Sequence, residues 1–217
     1  MSIKRLLCLL FCFLASHSAW ANLNLKQQIK IWHTANGAKV YFYRTKQLPI
    51  LDAVIAFDAG SRRDKNQYGL ANFTSALLDQ GTQHFNADTI AQKLADNAAQ
   101  LNIDTGKDMT MIHLRTLVKS ALLSNNLHLL TTILSSPTFP KKAYQREKAQ
   151  LLDAVKAAKQ SPSTLASQHF FKAIYGQTPY GHPVIGTKQT LQQISKHDIS
   201  SFYQHHYNAN HAIIALV

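Results

Sequence analysis

Glutamate is almost missing from this chain. Of its 11 acidic residues, ten are aspartates and one, Glu147, is a glutamate. The two cysteines, Cys8 and Cys12, fall within the first 21 residues. Beyond them there is no thiol, which excludes disulfides, cysteine-ligated zinc and a cysteine nucleophile from the rest of the chain. Eight glycines and six prolines are scattered singly, with no linker, low-complexity tract or internal repeat. Charged residues make up 16% against an average of about 25%, which argues against a long solvated coiled coil. G-x-S-x-G and the Gly-Lys-Ser/Thr of a phosphate loop are absent, and no more than two basic residues ever follow one another.

What is present begins with apolar surface. Hydrophobic residues reach 46% of the 217, enough for a real core and too many for a disordered chain. The first 21 residues resemble a bacterial export signal. Lys4 and Arg5 precede a short apolar run over 6–15, and Ala19-Trp20-Ala21 sets small residues before a cleavage site at Asn22. That run is shorter than the roughly 20 residues a membrane-spanning helix needs, so cleavage is expected over retention as an anchor. A periplasmic or secreted protein follows. Cleavage removes two of the 23 basic residues and none of the 11 acids, leaving a net +10. Export and scattered bases argue against nucleic acid, and a basic surface suits an envelope surface or an acidic partner.

Residues 28–33 and 38–43 alternate as strands around Asn36-Gly37, the signature of a type I′ hairpin turn. A third strand is expected over 50–59, closed by Gly60 and a charged loop. Leu70, Phe73 and Leu77 mark one stripe of a helix ending before Gly81, and Asn86 or Asp88 caps a second helix. Strands near 102–105 and 110–117 follow, then a leucine-rich helix from Ser120 to Pro137 and a long helix over 141–159. A further helix runs to Tyr175, its Phe170-Phe171 pair expected in the core, followed by two short helices and an apolar strand over 212–217. This order reads as a single α+β domain over 22–217, with helices on one face of a mostly antiparallel or mixed sheet. The last strand has no closing turn, which reads as an interrupted chain.

Four stretches together resemble the N-terminal half of the pitrilysin/insulinase family of zinc peptidases. They are Phe57-Asp58-Ala59-Gly60-Ser61-Arg62-Arg63-Asp64 leading to Tyr68-Gly69-Leu70-Ala71, Leu77-Leu78-Asp79-Gln80-Gly81-Thr82, the long helix between Pro140 and Pro162, and Pro179-Tyr180-Gly181-His182-Pro183-Val184-Ile185-Gly186-Thr187. The resemblance implies a zinc site built from H-x-x-E-H on the helix after Gly-Leu-Ala, with a third ligand on the long helix. Two histidines four apart share a helix face, and the glutamate acts as base on zinc-bound water.

The matching positions here depart from that pattern. Asn72 stands for the first histidine, Ser75 for the glutamate, Ala76 for the second histidine, and Asp153 falls at or next to the third-ligand position. With Glu147 the only glutamate, H-x-x-E-H cannot be written anywhere in the chain. Glu147, between Arg146 and Lys148, reads as a surface ion-pairing residue.

Other candidate side chains stand apart from that motif. His197, His205, His206 and His211 cluster near the end of the chain, with Asp198 beside the first, and read as solvent-facing histidines rather than a metal site. His182 reads as a loop-fixing residue. Ser75 has no histidine one turn away at 71, 72, 78 or 79, so it is not a serine nucleophile.

The resemblance therefore implies a non-catalytic homologue with no cofactor of its own, zinc being expected only in an active H-x-x-E-H partner subunit that handles peptide substrates in the cell envelope. Two alternatives stand beside it: a stand-alone peptide- or protein-binding module, and a weak zinc metalloendopeptidase with a degenerate site around Asp153.

Overall fold

A computed structural model describes residues 29–217; the export signal and its cleavage site lie outside the described residues. Six strands form one mixed sheet in the order β1-β2-β6-β3-β5-β4, with β1 at Ile29–His33, β2 at Lys39–Tyr43, β3 at Ile50–Phe57, β4 at Gln100–Thr105, β5 at Thr110–Leu117 and β6 at Ala212–Leu216. Only β2 and β6 run parallel; every other neighbouring pair is antiparallel. Seven α-helices lie among the described residues: α1 Leu70–Ala76, α2 Ala87–Asp96, α3 Ser120–Ser135, α4 Lys141–Ala158, α5 Pro162–Tyr175, α6 Lys188–Gln193 and α7 Lys196–His206. The α+β expectation holds.

The period-2 pattern of the strands sorts their side chains to two faces. On one face Ala53, Phe57, Ile112, Leu114 and Ala212 pack with Phe73, Leu77 and Leu78 after them from α1 and its exit, Val155 of α4, and Ile199 and Phe202 of α7. Burying each large side chain here contributes about 1.5–3 kcal/mol. A smaller cluster joins Ile90 of α2 to Leu129 and Ile133 of α3. On the opposite face Asp52, Arg115 and Gln100 align across β3, β5 and β4, and the Arg115 guanidinium donates to both oxygens of Asp52 at 2.6 and 2.9 Å.

Capping follows local chemistry. Asn86, the first of the two candidate caps, accepts from the Thr89 amide at 2.8 Å, and α6 and α7 open with capping boxes at Thr187 and Ser195.

Two expectations need correction. The β1–β2 turn is not type I′, which needs positive φ at both central residues. Only Gly37 is left-handed, at φ 94; the Gly37 amide donates to the Thr34 carbonyl and the Thr34 amide to the Ala38 carbonyl. The turn is one residue longer than Asn36-Gly37 alone, with the glycine as its bulge. Phe170 and Phe171 are not core residues either. None of the 14 residues of α5 is buried, because the sheet's helical face is already covered by α1, α3, α4 and α7.

Candidate functional site

Helix α1 starts in an unusual way. Its N-cap, Gly69, has no side chain to accept from the first amides, so those donors need an acceptor from elsewhere. Asp64 supplies it from five residues upstream. Its carboxylate accepts from the Gly69 amide at 2.7 Å and the Ala71 amide at 2.8 Å and is only 1% exposed. Burial, opposed by those two amides and the charge of Lys107, pushes the Asp64 carboxyl up to about 7. The Lys107 ammonium, itself lowered by burial, donates to the carbonyls of Tyr180 and His182 and so ties the β4–β5 turn to the Gly-His-Pro loop.

His182 fixes that loop. Its ring stacks on Tyr68 at 4.2 Å between centroids and 9° between planes, and burial lowers its pKa from the usual imidazole range. Gly186 closes the loop at φ 79, where a Cβ would sit 2.3 Å from the Tyr68 carbonyl oxygen. Only glycine allows the loop to lie this close to the start of α1.

One turn further along α1 stand the residues matched to the zinc motif. Ser75 is buried. Its Oγ donates to the Asn72 carbonyl at 2.9 Å and accepts from Thr105 Oγ1 at 2.7 Å. The Thr105 and Thr110 hydroxyls lie 2.9 Å apart, and Thr110 donates to the Ala59 carbonyl at 2.9 Å. A hydroxyl relay from Thr105 through Ser75 to the Asn72 carbonyl thus links edge strand β4 to α1, and Thr110 of β5 lies against it. Asn72 and Ala76 are partly exposed on the same helix.

Asp153 is exposed on α4, in a groove with Leu152, Val155, Lys156, Lys159 and Lys188. No residue of α1 and no histidine lines that groove. The set does not fit zinc. A neutral amide is a poor ligand, alanine has no donor atom, the serine oxygen is committed to the relay, and the aspartate faces lysines. Among the described residues no group of three or more His, Cys, Asp or Glu is placed to hold a metal ion.

The remaining candidates have local partners. Glu147 pairs with Arg146 at 3.1 Å, but its side chain is only 14% exposed; it is an ion-pairing residue largely covered rather than at the surface. His205 Nδ1 lies 2.7 Å from the Ser201 carbonyl, and His206 packs on Phe202 at 4.5 Å. Asp198 is spent on the α7 capping box. Sequence reasoning passed over Asp64, Lys107 and the Thr105–Thr110 pair. Asp64 carried a usable signal, an acid shortly before a glycine-capped helix; the others are joined only by strand pairing.

Residues 42–188 match the family model for insulinase, peptidase family M16. The chain belongs to that family. Among solved structures, the peptidase M16 inactive domain from Pseudomonas fluorescens is 34% identical and superposes with a TM-score of 0.85, over 87% of this chain and 46% of that one. Among curated relatives, a Helicobacter pylori protein named non-peptidase homolog YmxG is 29% identical over 184 residues, 83% of this chain and 42% of its own length. An uncharacterized zinc protease of Rickettsia felis is 24% identical over 88% of this chain and 46% of its own. This M16 chain spans about half the length of the curated relatives it matches.

Proposed function

We propose that this M16 chain is a non-catalytic subunit that pairs with an H-x-x-E-H peptidase and helps hold peptide substrates in the cell envelope. The observation that carries the reading is α1 itself, where Asn72 is a poor zinc ligand, Ala76 has no donor atom and Ser75 is tied into a structural relay with Thr105. The names of two relatives, an inactive domain and a non-peptidase homologue, support the same reading. Edge strand β4 is paired on one side only, which leaves backbone donors and acceptors for an extended peptide. The N-terminal segment supports export, with processing before Asn22.

The test is to purify the chain from its own envelope fraction and read its zinc content, its N-terminal mass and its peptidase activity, alone and mixed with the H-x-x-E-H peptidase of the same cell. The expected results are no stoichiometric zinc, a chain starting at Asn22, no cleavage alone, and a near-equimolar complex with the peptidase. Zinc that is lost on Asp153→Ala would instead establish the degenerate-site enzyme, and the lack of any complex would leave a stand-alone binding module.

A further inference from the structure

Helix α5 buries none of its 14 residues. Phe170 is 61% exposed, Ile174 58%, Phe171 40% and Tyr175 38%, and all eleven residues from 169 to 179 are exposed. At helical spacing Phe170 and Ile174 lie one turn apart on one flank, while Phe171 turns toward the body beneath the Lys107 ammonium, 5.6 Å from its ring. An apolar surface of this kind marks a contact with something other than water.

Within its own stretch of chain the charge has one sign and one residue type, while Asp153 lines the groove at its base and Asp108 accepts from the Tyr180 hydroxyl beside Tyr175. Between Asp153 and Asp198 lie 44 residues with no acid, no arginine and five lysines. All five, Lys156, Lys159, Lys172, Lys188 and Lys196, are exposed. Lys156, Lys159 and Lys188 line one groove. The chain leaves the body near Lys159 and is back against it by Tyr180 and His182, whose carbonyls accept from Lys107, and α5 is the excursion between them. Protein–protein interfaces favour arginine and are poor in lysine. A protruding helix with aromatic and aliphatic side chains on one flank and lysines around its base fits a lipid interface, where apolar groups enter the acyl boundary and ammonium groups meet anionic head groups.

We propose that α5, with Phe170 and Ile174 as its inserted side chains and the lysines of 154–197 as its electrostatic ring, binds an anionic phospholipid surface. This stands independently of pairing with a peptidase.

The experiment is co-sedimentation of the full chain with vesicles of phosphatidylglycerol or of phosphatidylcholine. Binding to phosphatidylglycerol vesicles is expected, weak binding to phosphatidylcholine, and a steep loss between about 50 and about 500 mM salt. A Phe170→Ser/Ile174→Ser variant should bind at least about tenfold more weakly, with an unchanged far-UV spectrum and melting temperature because neither side chain enters the core. The N-terminal apolar run is common to both proteins, so the difference reads α5 alone. A Lys156→Gln/Lys159→Gln/Lys188→Gln variant should flatten the salt dependence. Equal vesicle binding by the wild type and the serine variant would overturn the proposal. So would a dimer, or a complex with an H-x-x-E-H peptidase, that depends on Phe170 while vesicle binding does not; α5 would then be a protein-docking helix.

Discussion

Asp64 shows how one carboxyl can serve and strain a fold at once. It satisfies two amides at the start of α1, yet burial holds its pKa near 7, far above its unfolded value of about 3.9. Between roughly pH 4 and pH 7 the folded state binds more protons here than the unfolded state, so this group's contribution to stability falls as pH rises through that window. Burial raises Asp79 in the same sense, whereas the ion-paired carboxyls act in the opposite one. Asp58 is lowered by its bond from Arg63 and Asp52 by its bond from Arg115, so what they add is lost as pH falls through the carboxylate range. Asp64→Asn removes only the first effect. The difference in unfolding free energy between wild type and variant should change by up to about 1 kcal/mol per pH unit between pH 4 and 7 and be flat above. Denaturant titrations at four pH values would show it, and a pH-independent difference would mean that Asp64 titrates normally.

At the scale of elements, α1 and α5 are opposites. Helix α1 is seven residues long, with five of them buried, and Phe73 stacks on Tyr144 of α4 at 5.2 Å. Helix α5 is twice as long and buries none. Phe73→Ala should therefore cost about 3–5 kcal/mol through the cavity it leaves, whereas Phe170→Ser should change stability by less than about 0.5 kcal/mol. Chemical unfolding of the two variants compares them directly, and a large loss at Phe170 would mean that α5 packs against the body after all. Both helices were legible in the sequence, α1 from its Leu70, Phe73 and Leu77 stripe. Their different burial was not, because periodicity identifies an apolar stripe but not whether another element has already taken the face it would cover.

For the molecule as a whole, the sheet and its helices keep the M16 architecture while α1 carries Asn72, Ser75 and Ala76 in place of H-x-x-E-H. If the fold draws none of its stability from zinc, adding a chelator should leave the melting temperature within about 1 °C of its starting value, since a bound metal would stabilise by mass action. A chelator-induced drop of several degrees in a thermal melt would show that a metal contributes to the fold. No helix among the described residues is long and apolar enough to cross a membrane.

The sequence by itself determined the order and type of nearly every element, because strand alternation, helical stripes and capping residues are local. It also determined that H-x-x-E-H cannot exist, since that follows from counting glutamates. Tertiary structure alone decided that Asp64 lies buried under α1, that Ser75 is held by Thr105 thirty residues away, that Asp153 faces lysines, and that Phe170 meets water. Each of these depends on which surfaces the strand pairing and helix packing bring together, and contacts between distant segments leave no periodic trace in the chain.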